Sequence, residues 1–143
     1  MGRKAYSRTD VNSLSILLVD LCRQERAARL RGDVAAHHRL SDRMLAVAET
    51  LKQRGEEGRK ALLSLIDHEE QNVQLWAAAH SLDFAPEVAV PALERLIAWG
   101  EQGAKGDLQP DVVSIGITAT NSLHVWRAER GLLTPEEKLW LKP

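Results

Sequence analysis

The chain has 143 residues, of which 44% are hydrophobic and 27% charged, with a formal net charge of -1. This is the length of one domain, able to bury roughly 70% of its unfolded surface without metals or disulfides. The single cysteine, Cys22, has no partner within the chain, which excludes an intrachain disulfide scaffold and favours a reducing, cytoplasmic setting. The opening MGRKAYSRTD leads into no signal-like apolar run, and no segment approaches the roughly 18 apolar residues of a membrane span. A soluble protein with no membrane partner is therefore expected. Residues 1–60 hold 13 Lys/Arg against 8 acids and residues 61–143 hold 6 against 12, so a basic front half precedes an acidic back half, able to steer a charged partner.

Apolar residues recur at steps of three and four, the period of helices, and strand alternation is nearly absent. After a flexible arm of residues 1–8, a single all-α domain of six to seven helices is expected over residues 9–143. Leu14, Leu18, Leu21 and Cys22 stripe a first helix that begins near Thr9 or Asp10 and stops at Gly32. Asp33 caps a second, striped by Leu40, Met44, Val47, Ala48 and Leu51, which ends at Gly55. The very short connection makes these two antiparallel neighbours. A third, shorter helix is predicted over residues 57–66, and Asp67 to Gln71 form a polar turn.

Asn72 is read as the N-cap of a fourth helix containing Val73, Trp76, Ala77 and His80, whose run of alanines permits close approach. Pro86 suits the first turn of a fifth helix, which carries Val90, Leu93, Leu96 and Ile97 and stops at Gly100. Pro91 removes a backbone donor and should delay or bend the start of that helix. Glu101 to Asp111 read as a surface loop. A sixth helix from about Asp111 is striped by Val112, Ile115, Ala119, Leu123 and Trp126 and ends at Gly131, with Gly116 leaving room for a neighbouring backbone. Thr134, Pro135 and Glu137 form a capping box for a short seventh helix reaching Trp140.

The residues that could carry chemistry lack the company they need. His37 and His38 are adjacent, so on a helix they point about 100° apart, and His38 with Asp42 supplies only two of the three or four ligands of a zinc site. Cys22 lies on an apolar stripe and reads as a buried, inert thiol. No GxSxG, HExxH or Walker-type GK[ST] occurs, and Gly100, Gly103, Lys105 and Gly106 follow no strand. A non-enzymatic protein without metal or cofactor is expected. Arg23, Arg26, Arg29 and Arg31 near the end of the first helix provide an alternative, a nucleic-acid contact, weighed against a pI near 6.5 and the ordinary preference of cations for a helix C-terminus.

Trp76 and Trp126 fall on helix stripes and read as core, whereas Trp99 and Trp140 lie at helix ends, where half-exposed aromatics serve as binding anchors. Glu87, Glu94 and Arg95 share the exposed side of the fifth helix. With Trp99 they form the predicted partner-binding set.

The segment from Asn72, Val73, Leu75, Ala77, Ala78 and Leu82 through AVPALERL at residues 89–96 resembles a HEAT-like helical repeat. The run from Ala61 to Ala78, with Leu123, Val125, Trp126, Arg127 and Gly131, is similar to a small bacterial all-helical family of unassigned function. The resemblance implies a short right-handed HEAT-like superhelix with residues 57–66 and 87–99 as its inner helices. It further implies a protein-binding role, of the kind served by immunity proteins that block a toxin encoded beside them. On this reading the protein binds a protein partner as a monomer or homodimer, and the alternative is a nucleic-acid-associated helical repeat protein using the arginine-rich end of the first helix.

Overall fold

Seven helices and no strand make up the computed structural model, which describes residues 6–103 and 111–140. They are α1 (Val11–Leu30), α2 (Val34–Gln53), α3 (Gly55–Leu65), α4 (Gln71–Ser81), α5 (Pro86–Gly103), α6 (Val112–Glu129) and α7 (Pro135–Trp140). From α1 to α6 each helix packs on the next in sequence, and α4 also touches α1, α2 and α6.

The helix ends follow from local chemistry. Asp10 accepts the Ser13 N–H at 2.8 Å and Asp33 accepts that of Ala36 at 3.1 Å, each satisfying one of the orphan donors of a first turn. These backbone hydrogen bonds hold both carboxyls below their ordinary values. α1 ends with Gly32 at φ 74°, the Asp33 N–H reaching the Ala28 carbonyl at 2.9 Å. α6 ends the same way at Gly131, φ 66°, where Leu132 N–H reaches Arg127 O at 2.8 Å. Both are six-to-one closures that need a left-handed residue. The α7 capping box is present in full: Glu137 N–H donates to Thr134 Oγ1 at 3.1 Å and Thr134 N–H to Glu137 Oε1 at 3.2 Å.

Two adjoining apolar clusters fill the interior. One joins Leu14, Leu18 and Leu21 of α1 to Met44, Val47 and Leu51 of α2, with Leu62 and Val73. The other joins Leu75, Ala77 and Ala78 of α4 to Leu93 and Leu96 of α5 and Ile115, Ala119 and Leu123 of α6. The uncharged α4 contributes to both and lies between them. Tyr6 packs on the first cluster, and Arg54 donates to the Tyr6 and Ser7 carbonyls at 2.8 and 3.2 Å, which ties these two residues of the expected arm to the body.

Several boundaries differ from the sequence reading. α4 starts at Gln71, two residues earlier than an Asn72 cap implies, with Glu70 flanking it, and Asn72 is buried inside the helix rather than capping it. α5 does not stop at Gly100. It runs to Gly103 and absorbs Pro91 in an unbroken helix. The missing Pro91 N–H would have served the Glu87 carbonyl, and both residues face solvent, where water can take that carbonyl. Gly100 serves close packing instead of termination, since a Cβ there would lie 2.9 Å from Gly116 Cα on α6. Lys105 and Gly106 of the glycine-containing loop lie outside the described residues.

Candidate partner-binding site

The surfaces available to a partner are set by a buried polar cluster on α1. Glu25 falls on the same stripe as Leu18, Leu21, Cys22 and Ala28, and is 3% exposed. A carboxylate so enclosed has to be paired and hydrogen-bonded. Its Oε2 accepts from Arg29 Nε at 2.8 Å and lies 2.9 Å from His37 Nδ1; its Oε1 accepts from Asn72 Nδ2 at 3.2 Å. Asn72 also donates to the Cys22 carbonyl at 2.9 Å. One carboxylate thereby ties α1, α2 and α4 together. Burial, with the charges of Glu25 and Glu70 added, pushes the Cys22 thiol up to about 12, as expected of an inert thiol.

The arginine row of α1 is held in ion pairs throughout. Arg23 meets Glu70 at 2.7 Å, Arg26 meets Asp111 at 2.6 Å, Arg29 meets Glu25, and Arg31 meets Asp33 at 3.3 Å. Burial works against the charge of Asp111, but the hydrogen bonds and charge of Arg26, helped by Arg29, outweigh it and hold the carboxyl below its ordinary value. Asp111 flanks the start of α6 without capping it by its side chain. Its carboxylate is turned to α1.

Beside this row lies a cleft of about 420 Å³ lined by Arg26, Glu69, Glu70, Asn72, Trp99 and Asp111, among others. Three of these are acids and one is a base. Trp99 reaches the cleft from α5, half-buried and packed on the second apolar cluster.

Glu87, Glu94 and Arg95 are exposed on α5. Seven residues bring an α-helix round to within about 20° and advance it about 10 Å, so Glu87 and Glu94 lie in one row. The continuation of α5 past Gly100 adds Glu101, also exposed, to that row. The result is an acidic stripe of three carboxylates set two heptad steps apart end to end, none of which forms an ion pair with a described residue. Arg95 flanks the stripe. Trp99 does not join it: the helical period turns it about 140° from Glu94, into the cleft. Glu101 is the member that the sequence reading missed, although the spacing 87, 94, 101 was a usable signal.

The other candidates resolve into structural roles. Trp76 and Trp126 are half-buried rather than enclosed. Trp76 stacks on His80 with ring centroids 5.2 Å apart, and burial together with the positive charge of Lys52 lowers His80 to about 4. Trp126 is covered by the Arg130 guanidinium at 4.7 Å, and its Nε1 is buried without a hydrogen-bond partner. The Trp140 side chain lies outside what is described. Among the described residues no group of three or more His, Cys, Asp or Glu could hold a metal ion, and no helix is long and apolar enough to cross a membrane.

A small all-α protein built around paired charges, with an acidic stripe on one long helix, is the class that this geometry defines. The chain belongs to the DUF2019 family, a domain of unknown function, whose model matches residues 12–110. No curated protein matches the chain. Among solved structures, it is similar to the crystal structure of the protein RPA1889 from Rhodopseudomonas palustris CGA009, at 25% identity and a TM-score of 0.71, covering 91% of this chain and 97% of that one.

Proposed function

We propose that the protein is a non-enzymatic protein-binding module that presents the acidic face of α5 to a basic surface of its partner. The observation that carries this reading is the row of Glu87, Glu94 and Glu101, exposed and without ion pairs to described residues, on a molecule whose α1 arginines are all neutralised by partners of its own. A row of unpaired carboxylates on a rigid helix, with Arg95 as the cation beside it, steers a basic protein and sets the orientation of docking. Trp99, in the neighbouring cleft with Glu69, offers a π face and a carboxylate to an inserted Lys or Arg side chain.

The finer reading is an immunity-type protein of the cytoplasm, its partner a toxin encoded beside it, on a short HEAT-like stack. It is supported by the serial packing of α1 to α6 and by the resemblance of residues 72–96 to a repeat unit. The alternative, a nucleic-acid contact through the α1 arginines, is less well supported because phosphates would have to displace Glu70, Asp111, Glu25 and Asp33.

Affinity capture from native lysate, with nuclease treatment and at low and high salt, tests the choice. One protein retained at about one-to-one ratio supports the module. Nucleic acid retained at low salt and released as salt rises, or a bait that retains nothing, overturns it.

A further inference from the structure

α6 has the composition of an interior helix and the position of an edge helix. From Val112 to Trp126 it contains no Asp, Glu, Lys or Arg, in a chain that is 27% charged. α4 is uncharged in the same way, and five helices surround it; α6 has substantial contacts only with α4 and α5. Its outward side presents Val113, Ile117 and Val125, 39%, 56% and 58% exposed, in one row completed by Asn121. A helix without charge that exposes a row of Val and Ile gains stability in water when something encloses that row. Among the described residues nothing covers this row.

Two features prepare the face for a dry contact. Each hydroxyl on α6 donates to the helix's own backbone: Ser114 to Asp111 O at 3.1 Å, and Thr118, Thr120 and Ser122 to Ser114, Gly116 and Thr118 O, each at 2.9 Å. Drying the face therefore strands none of these donors. Beside the row runs a groove of about 240 Å³, whose floor is the Gly100–Gly116 approach and whose walls include Ile97, Val113 and Ile117. A ridge and a groove lie next to each other on one surface, the relief by which helices interlock.

We propose that a second copy of this chain docks here, the two α6 helices antiparallel about a twofold axis, each Ile117 row seated in the other's Gly100–Gly116 groove. The charges favour this occupant. An uncharged face meets itself without repulsion, and its ends carry opposite signs: Glu101 borders the groove near Val113, while Arg127, whose one ion pair among the described residues is a 3.9 Å contact to Glu137, flanks the far end. An antiparallel pair brings Glu101 of each copy to Arg127 of the other. A strip about 27 Å long and two helices wide buries roughly 1,000 Å² in all, the lower edge of specific interfaces, so association is concentration-dependent. Glu87 and Glu94 stay outside this interface and face a basic partner in monomer and dimer alike, whereas Glu101 is open to that partner only in the monomer.

Sedimentation equilibrium of the full chain from about 1 μM to about 1 mM tests the proposal, with circular dichroism to check the fold of each variant. The mass is expected to rise from 15.9 kDa toward twice that value, and Ile117→Asp or Val125→Asp, at exposed sites, to keep it at the monomer value throughout. Glu101→Arg and Arg127→Glu are each expected to weaken association at least about fivefold, and together to restore it. A wild-type chain monomeric at every concentration, whatever else covers α6, overturns the proposal, as does a dimer that Ile117→Asp leaves intact. Charge reversals without effect overturn the antiparallel pairing.

Discussion

Replacing Glu25 by glutamine changes almost no volume but removes the charge on which α1, α2 and α4 converge. In the wild type, Oε2 faces Arg29 Nε at 2.8 Å and His37 Nδ1 at 2.9 Å, while Oε1 faces Asn72 Nδ2 at 3.2 Å and Arg29 Nη2 at 3.4 Å. Whichever way the amide of Glu25→Gln is turned, its NH₂ group opposes a donor. Breaking a fully buried ion pair costs about 3–5 kcal/mol. Here the Arg29 and His37 side chains are 23% and 33% exposed, so water recovers part of the loss and about 2–3 kcal/mol remains. For a chain of this length that is a fall in Tm of roughly 7–10 °C. Urea and thermal unfolding measure it, with Glu94→Gln as an exposed control expected to stay within about 0.5 kcal/mol of wild type. A Glu25→Gln cost no larger than the control's would refute the account of Glu25 as the tie between these helices.

Three further outcomes are expected. His80 is held at about 4 against an ordinary value of 6.5, so the unfolded chain protonates first as pH falls; its contribution is complete above about pH 6.5 and is lost by about pH 4, up to roughly 3 kcal/mol. His80→Gln should flatten the stability profile over that window, and an imidazole that titrates near 6.5 by NMR would contradict the assignment. Gly58→Ala would place a methyl against the Leu51 carbonyl oxygen, where neither backbone can yield; despite the better helix propensity of alanine, a net loss of at least about 2 kcal/mol is expected, and a stabilised variant would show that the α2–α3 junction is looser than described. Cys22, buried and held at about 12, should react with a thiol reagent at the rate of unfolding, and rapid labelling of the native protein would disprove its enclosure.

The features legible in sequence were those set by nearby residues. Gly32, Gly131, Asp10, Asp33 and the Thr134–Glu137 box each work within a few positions, and each marks a helix end as expected. The misreadings came from residues with two possible uses. Gly100 can stop a helix or admit a neighbour, and the deciding residue, Gly116, lies on another helix. Asn72 can cap a helix or satisfy a distant group, and its partners, Cys22 and Glu25, are 50 and 47 positions away. Glu25 and Asp33, local to Arg29 and Arg31, made partial neutralisation of the arginine row readable, but the partners of Arg23 and Arg26 are 47 and 85 positions off, so the neutralisation of the whole row was not. Of the candidate site, Glu87, Glu94 and Arg95 were readable as an exposed face from helical period alone. Placing Trp99 needed the packing of α5 on α6.

Whether the acidic row of α5 holds a protein partner is measured by calorimetric titration of the captured protein with wild-type chain and with the combined Glu87→Gln, Glu94→Gln, Glu101→Gln variant at matched salt. These carboxylates are exposed, so the variant keeps its fold. Loss of three rim charges is expected to weaken binding by about tenfold or more, chiefly through slower association, and by less as ionic strength rises. Equal affinity for the two proteins at low salt would contradict the claim and place the interface elsewhere on the molecule.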